Sequence, residues 1–463
     1  MTLKAIVIGS GPAGLIAANS LLDAGYKASD FVVLEKRPEW QRRPQEISLM
    51  ACSSARLRKW GVIQKMEARN QISPRHGHIM MHWDDWKTGK NLSIAYGEQP
   101  GEYPGDLANV TTDQVLDDGT HARNVNTTTI GDTERAMLDA ATERGVNVMR
   151  GVIIDLVWHR DVEKYEVCYT AAMGERVSLG IPDLVINCEG ANRKFVKQVL
   201  GPRHGVEILP KAPRAVYFVC VNVYFPSPEE RLRIMPSGIY MKTYGQADFS
   251  FAPVAGAPSR NTEPDQAIWV KLRPEMLIDT PVWDGAPADV TLSWKSGSRS
   301  KVIEQYAAQE VKSFLRTMFG DGVAETVRLG EITTPIHVRD TLLSTATAGK
   351  NMVMFGDCFR TGTFQSGSGF NLLLTMDCNA LKTLIGSKES REAAFEEYTS
   401  SVRKSALRWH ERNVAAFHSE GVPPFVSHAE RAEGVLKYKN YPEFVAKLVQ
   451  PTMMKIRKEQ PRL

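Results

Sequence analysis

The chain opens with the stretch Ile6-Val7-Ile8-Gly9-Ser10-Gly11-Pro12-Ala13-Gly14, and this stretch decides the fold. The apolar run from Ala5 to Ile8 predicts a short buried parallel strand, and Leu15 to Ala24 predicts a helix. Three glycines therefore lie at a strand-to-helix turn, which is the position that a dinucleotide-binding turn requires.

Each of the three glycines has a structural role that a larger residue could not fill. Gly9 permits the tight turn, Gly11 lets a pyrophosphate approach the backbone, and Gly14 lets the helix pack closely on the strand. A second apolar strand, Phe31 to Leu34, is followed by Glu35, about twenty residues after the last glycine, where a carboxylate can bind a ribose hydroxyl. The turn predicts dinucleotide binding, and by itself it fits NAD and FAD equally well.

Composition narrows the class of protein. The 463 residues allow two or three domains, and 43% of them are hydrophobic, enough for a large core. The net charge of +4 gives no case for nucleic acid as a partner. The six cysteines lack CxxC spacing, so they predict neither a zinc site nor a disulfide framework. The chain has no run of eighteen apolar residues, so we predict no stable membrane insertion. We expect a cytoplasmic protein, monomeric or homodimeric.

The pattern of elements predicts an α/β fold with an insertion. Residues 1–75, 105–200 and 330–390 are expected to form a discontinuous Rossmann-like domain, including a helix that starts at Asp132 as N-cap. Residues 76–104 and 201–329 are expected to form a mainly antiparallel β-sheet domain that binds substrate. Residues 391–463 are expected to form a helical C-terminal segment.

Side chains of the inserted sheet supply weak candidates for substrate chemistry. His78 and His82 share one face of a predicted strand with His76, but no cysteine or carboxylate at ligand spacing joins them, so we predict no metal. Tyr217 and Tyr240 lie in long aromatic strands. Each of the four candidates, His78, His82, Tyr217 and Tyr240, could hydrogen-bond or deprotonate a substrate hydroxyl, and the sequence does not choose among them.

A second glycine-rich loop follows a late strand, Met352 to Phe355. The loop runs from Gly356-Asp357 to Gly367-Ser368-Gly369-Phe370-Asn371 and leads into an apolar helix, Leu372 to Ile385. It places an acceptor and free N–H donors at one end of a sheet. A ligand that reaches both loops would be a dinucleotide whose second half is not adenosine.

With these two loops the chain resembles the flavin-dependent aromatic hydroxylases, the class A FAD monooxygenases typified by p-hydroxybenzoate hydroxylase. The resemblance extends over most of residues 1–390 and implies a non-covalent FAD across both loops, with NADPH or NADH as a transient reductant. The residues it assigns to the cofactor are Gly9, Gly11, Pro12, Ala13, Gly14, Glu35, Lys36, Arg37, Arg43, Gly356, Asp357, Gly367, Ser368, Gly369, Phe370 and Asn371.

The chain departs from the family pattern in its middle motif. Glu189 stands where the family usually has Asp, and Arg193 where serine is common. Gly131 occupies a position that commonly carries Arg or Gln toward the flavin. In the family the middle motif is associated with both FAD and nicotinamide contacts, so these departures count against direct reduction by NAD(P)H.

The resemblance implies a monooxygenase reaction. NAD(P)H would reduce FAD, O2 would form a flavin C4a-hydroperoxide, and an aromatic or polyketide-like small molecule would be hydroxylated or epoxidised. Two alternatives stay open: an FAD-dependent dehydrogenase or oxidase of the same superfamily without oxygen insertion, and a redox-sensing flavoprotein that uses Cys358.

Overall fold

The computed structural model describes residues 3–40, 46–49, 51–72, 78–83, 92–95, 126–171, 174–211, 216–235, 238–244, 248–254, 260, 262–272, 276, 298–332, 336–338, 340–362 and 368–417. Arg43 and Gly367, two of the predicted cofactor contacts, lie outside these residues.

The described strands are numbered in chain order. They are β1 (Ala5–Ile8), β2 (Phe31–Glu35), β3 (Glu46–Leu49), β4 (His78–Trp83), β5 (Leu92–Ala95), β6 (Asn126–Thr129), β7 (Val148–Arg150), β8 (Ile153–His159), β9 (Lys164–Thr170), β10 (Arg176–Ser178), β11 (Leu184–Asn187), β12 (Ile208–Pro210), β13 (Val216–Tyr224), β14 (Gly238–Tyr244), β15 (Asp248–Val254), β16 (Asp265–Leu272), β17 (Arg328–Ile332), β18 (Ile336–Val338), β19 (Thr341–Leu343), β20 (Thr347–Ala348), β21 (Met352–Met354) and β22 (Arg360–Thr361).

The α-helices are numbered in the same way, and two π-helical turns, Val196–Leu200 and Leu373–Asp377, extend helices. The α-helices are α1 (Pro12–Asp23), α2 (Ala51–Lys59), α3 (Val62–Ala68), α4 (Ile130–Glu143), α5 (Gly201–His204), α6 (Pro228–Ile234), α7 (Ser298–Phe319), α8 (Asp321–Thr326), α9 (Ser368–Leu372), α10 (Cys378–Gly386) and α11 (Arg391–Phe417).

A six-stranded sheet in the order β20-β21-β11-β1-β2-β7 forms the centre of the first part of the fold. Its strands are parallel except for the edge strand β20. Strands β1 and β2 are fully buried, as expected for strands with helices on both faces. Because the strands are parallel, the turns that follow β1, β2, β11 and β21 lie at the same edge, where open α/β sheets bind ligands.

A second sheet of eight strands contains β17-β13-β16-β15-β14-β4-β5, with β18 paired to β13 beside β17. All its pairs are antiparallel except β14 with β4. One face packs on α7 through a separate core that includes Val221, Val270 and Phe314. The sheet continues past the predicted boundary at residue 329, since Arg328–Ile332 and Ile336–Val338 both pair with β13.

Some helix ends differ from the sequence prediction. α1 begins at Pro12 rather than Leu15, because proline is well tolerated in the first turn of a helix. The prediction that Asp132 is the N-cap of α4 is wrong. Thr129 is the N-cap, and its Oγ1 accepts a hydrogen bond of 3.0 Å from the Asp132 N–H. Asp132 returns a carboxylate contact to the Thr129 hydroxyl at 2.8 Å, so a threonine and an aspartate cap the helix together.

Among the described residues, no helix is both long enough and apolar enough to cross a membrane.

Candidate functional site

The first glycine turn is set by close backbone contacts. Gly9 has φ +96°, and a Cβ atom there would lie 2.5 Å from the carbonyl oxygen of Cys188. A Cβ on Gly14 would lie 1.7 Å from the Gly9 carbonyl oxygen, so helix and strand can meet only if residue 14 is glycine. Gly11 has open space at the same position, and it precedes α1 without a side-chain cap. The turn thus offers free amide groups and room for a phosphate beside Gly11.

Glu35 lies at the end of β2 and is held as a carboxylate. Its Oε2 accepts hydrogen bonds from the Ser10 N–H at 2.8 Å and the Ser10 hydroxyl at 3.1 Å. Its Oε1 accepts from the Arg37 N–H at 2.9 Å and from Arg37 Nε at 3.0 Å. Burial by itself would raise the pKa of Glu35, but the hydrogen bonds from Arg37 and Ser10 lower it to about 2. A charged acceptor therefore lies directly against the first turn.

The basic residues after Glu35 have different surroundings. Arg37 bonds to Glu35, and its Nη2 lies 3.5 Å from Oε1 of the buried Glu134. Lys36 is exposed. The structure keeps Arg37 beside the predicted ribose contact and leaves Lys36 on the surface.

The second glycine loop touches the first. Gly356 has φ +67°, and a Cβ atom there would lie 2.6 Å from the Cβ of Ala13. Asp357, the next residue, is exposed, whereas Gly356 and Cys358 are buried. The loop after β21 is thereby packed against the start of α1 with the aspartate at its surface.

The third predicted element is the helix entry at α9. Gly369 and Phe370 are partly exposed, and Asn371 is fully buried. The Thr375 hydroxyl donates to the Asn371 carbonyl at 2.8 Å inside the π-helical turn. Ser368 begins the helix. This helix entry is the last part of the second glycine loop, which begins directly after β21.

The middle motif serves to join these loops, a role that sequence reasoning missed. Glu189 accepts hydrogen bonds from the Phe195 N–H at 2.9 Å and from Asn187 Nδ2 at 3.0 Å. Arg193 is buried in the left-handed region, with φ +50°. Its Nε donates to the Cys358 carbonyl at 2.8 Å and its Nη1 to the Thr341 hydroxyl at 2.6 Å. The unusual arginine therefore anchors the second loop.

The eight-stranded sheet has an aromatic face opposite α7. The Phe251 and Trp269 rings are stacked at 6.1 Å with 17° between their planes, and Phe218 meets Phe251 edge-on at 6.2 Å. Cys220 pairs with Trp269 across the strands and lies within electrostatic reach of Glu46 on β3. Rings on this face could contact a flat apolar ligand.

Two of the four weak candidates for substrate chemistry, Tyr217 and Tyr240, pack on the core under α7, and the side chains of His78 and His82 lie outside the described part of the chain. Tyr240 is fully buried in the core under α7, with its ring 5.3 Å from that of Phe319, and Tyr217 packs partly buried against the same core. In the register of β4, His78 stands opposite Gly238 and His82 opposite Lys242. Neither tyrosine lies on the aromatic face.

The described cysteines are free and buried. Burial raises the pKa of Cys358 well above the usual value, with Glu189 adding to the shift, which disfavours the thiolate form of this side chain. No group of three or more potential metal ligands occurs in the part of the chain that the structure describes.

Comparison with known proteins agrees with this geometry. A family model for the FAD binding domain matches residues 2–406. No curated protein matched by sequence. Among solved structures, p-nitrophenol 4-monooxygenase PnpA from Pseudomonas putida DLL-E4 superimposes with a TM-score of 0.62 at 14% identity, covering 96% of this chain and 97% of that one.

Two further structures share the fold. The flavin-dependent brominase Bmp2 gives a TM-score of 0.63 at 12% identity, covering 99% of this chain and 100% of Bmp2. A flavoprotein/dehydrogenase from Cytophaga hutchinsonii gives 0.60 at 15% identity, covering 99% and 100%. At such low identity these likenesses establish the fold, and they leave the reaction to be argued from the site.

Proposed function

Since the chain belongs to the FAD-binding domain family, we propose that it is an FAD-dependent monooxygenase. It uses NAD(P)H and O2 to hydroxylate or epoxidise an aromatic or polyketide-like small molecule. The observation that carries the proposal is the contact of Gly356 with Ala13, which joins both glycine loops into one elongated site.

The residues present fit FAD. Glu35 would bind the adenosine ribose, because its carboxylate lies against Ser10 in the first turn, and the amide groups after Gly11 would bind the pyrophosphate, because Gly11 has open space beside it. The exposed Asp357 would bind the ribityl chain. The start of α9 at Ser368 would face the flavin ring.

FAD supplies the redox chemistry, since it accepts a hydride from a nicotinamide and activates dioxygen when reduced. The protein supplies position and charge. The N-terminal amides of α9 stabilise negative charge beside them, an effect of about 1 kcal/mol in a partly buried position. The aromatic face around Phe251 and Trp269 holds a flat substrate and excludes water from it.

NADPH or NADH is the transient reductant in this proposal. The nicotinamide is a visiting ligand, because the single glycine turn after β1 is already used by FAD. We further propose that the enzyme acts in the cytoplasm as a monomer or homodimer and has no nucleic-acid partner.

The alternative is a dehydrogenase or oxidase of the same superfamily without oxygen insertion. The middle motif favours it: Glu189 caps the amides of Phe195 and Val196, and Arg193 is buried against the Cys358 carbonyl. With both side chains committed inward, this motif offers less to a nicotinamide.

Rapid mixing of the purified yellow protein with NADH or NADPH in air tests the proposal. We expect the flavin absorbance to bleach and O2 to be consumed, and an added phenolic substrate to gain one oxygen atom from labelled dioxygen. Reduction with peroxide release and no label in any substrate would support the dehydrogenase or oxidase instead. A purified protein without flavin, unable to bind added FAD, would refute both.

A further inference from the structure

A buried ion pair spans the two sides of the second glycine loop. Arg360 begins β22, three residues after Asp357, and Asp377 ends the π-helical turn that follows α9. Arg360 Nη1 lies 3.0 Å from Asp377 Oδ1, and Nη2 lies 2.8 Å from Oδ2. Each side chain is only 3% exposed. The short strand β22 inside the loop is therefore joined, in bidentate geometry, to the helix that follows the loop.

The C-terminal helix covers this pair with an aromatic ring. The Arg360 guanidinium carbon lies 5.4 Å from the centre of the Trp409 ring, within range of a cation–π contact. A Cβ atom on Gly369 would lie 3.3 Å from Trp409 Cζ2. One indole ring thus contacts both the ion pair and the glycine at the helix entry.

The neighbouring residue fixes the ring's position. His410 Nδ1 lies 3.2 Å from Asp340 Oδ1, and both side chains are buried. Asp340 immediately precedes β19, which pairs with β22. The C-terminal helix is consequently attached to the same strand pair that presents Arg360.

Stability does not explain this arrangement well. A buried ion pair often gives little or no net stability over apolar residues of the same volume, because both charges lose their water. In some proteins such a pair instead fixes one geometry. The π-helical turn at Leu373–Asp377 points the same way, since such turns are frequent at functional sites.

We propose that Arg360, Asp377 and Trp409 form a positioning clamp that holds the α9 entry against the flavin of FAD. The C-terminal helix α11 is then part of the cofactor site, and Trp409 sets how tightly FAD binds. This inference depends on FAD binding in the proposed function, but it is independent of the reaction that follows.

Trp409→Leu and Trp409→Phe test the clamp, with Phe395→Leu as the matched control. Phe395 is buried on the same helix and packs in the core, where Arg391 covers its ring. FAD affinity is measured by titrating the apoprotein, and the flavin environment by visible circular dichroism. We expect Trp409→Leu to weaken FAD binding by about tenfold or more and to change the dichroism. Trp409→Phe and Phe395→Leu should stay within about threefold of the wild type.

Arg360→Lys provides a second readout because it keeps the charge and loses the bidentate geometry. We expect weaker FAD binding and a changed flavin dichroism. The clamp is overturned if Trp409→Leu and Arg360→Lys bind FAD as the wild type does with the same flavin dichroism. Because no turnover is measured, a wild type that binds FAD but never inserts oxygen would refute the proposed reaction and leave the clamp intact.

Discussion

The backbone of Gly356 packs directly on the side chain of Ala13, so that a Cβ atom on Gly356 would lie 2.6 Å from the Ala13 Cβ. The contact joins residues from opposite ends of the sequence at one edge of the parallel sheet. Neither loop can move relative to the other without opening this contact.

Gly356→Ala should damage the cofactor site more than an ordinary glycine replacement. The φ of +67° costs an alanine about 1–2 kcal/mol, and forcing a methyl group against Ala13 adds about 1–3 kcal/mol. Gly180→Ala is the control, because Gly180 has φ +79° with open space around it. Urea denaturation and FAD titration should show that Gly356→Ala loses both stability and FAD binding. Gly180→Ala should lose a small amount of stability and keep its FAD binding. Equal effects would contradict a steric role for the contact.

Asp357→Asn should weaken FAD binding by about tenfold or more, since a charged acceptor for a ligand hydroxyl becomes a neutral amide. Titration of the apoprotein with FAD measures the change. Asp321→Asn removes a carboxylate that is 77% exposed and paired with Arg316, and it should leave FAD affinity unchanged. If Asp357→Asn binds FAD with wild-type affinity, Asp357 is not a cofactor contact.

Glu35→Gln should make the free energy of unfolding depend less on pH in the acid range. Glu35 has a pKa of about 2 in the folded protein, against an ordinary value of 4.5. The depressed pKa stabilises the fold above about pH 4.5, on the order of 3 kcal/mol, and this is lost as the pH falls toward 2. The apoprotein variant should therefore be less stable than the wild type at pH 7 and approach it in acid, as read from urea midpoints. A constant difference across pH would contradict the argument.

Glu46→Gln should have the opposite pH dependence, which makes the two variants controls for each other. Burial raises the pKa of Glu46 to about 7, although Arg260 lies 3.6 Å away and, with Arg231, opposes the shift. The folded protein then holds a proton that the unfolded chain releases, so stability falls as the pH rises from about 4.5 to about 7.

Above pH 7, the raised pKa of Glu46 lowers the free energy of unfolding by on the order of 3 kcal/mol. Relative to the wild type, the Glu46→Gln apoprotein should gain stability as the pH rises through this window. Urea midpoints at several pH values measure the gain. A difference that shrinks with rising pH would show that Glu46 is ionised in the folded protein at all these values.

The first loop was predictable from sequence because its rules are local. The predicted strand Ala5 to Ile8 is confirmed to the residue, and Gly9 and Gly14 have the close backbone contacts that the pattern requires. The end of β2 at Glu35 follows from the spacing alone. These features depend on neighbours within one βαβ unit, so a short stretch of sequence contains them.

The rest of the site depends on contacts between distant residues. Arg193 looked like a mere departure from a family pattern, yet the Cys358 carbonyl and Thr341 determine its position. Trp409 lay in a helix whose function the sequence did not indicate. A buried arginine must find acceptors, and this requirement was the available signal, but the sequence does not say where they are.

Sheet faces were also ambiguous. Tyr240 and Trp269 both occur in aromatic strands, and alternation assigns them to faces only when strand register is known. The pairing places Tyr240 under α7 and Trp269 on the opposite face. The aromatic strands were predictable, but the face of the sheet on which each ring lies was not.

The close contacts of Gly9 and Ala13 also determine when the site can form during protein synthesis. The turn is synthesised long before the residues that contact it, since Cys188 packs against Gly9 and Gly356 packs against Ala13. A nascent chain cannot assemble the pocket until translation has passed β21. Assembly of this site consequently has to wait for residues more than 340 positions beyond Gly9.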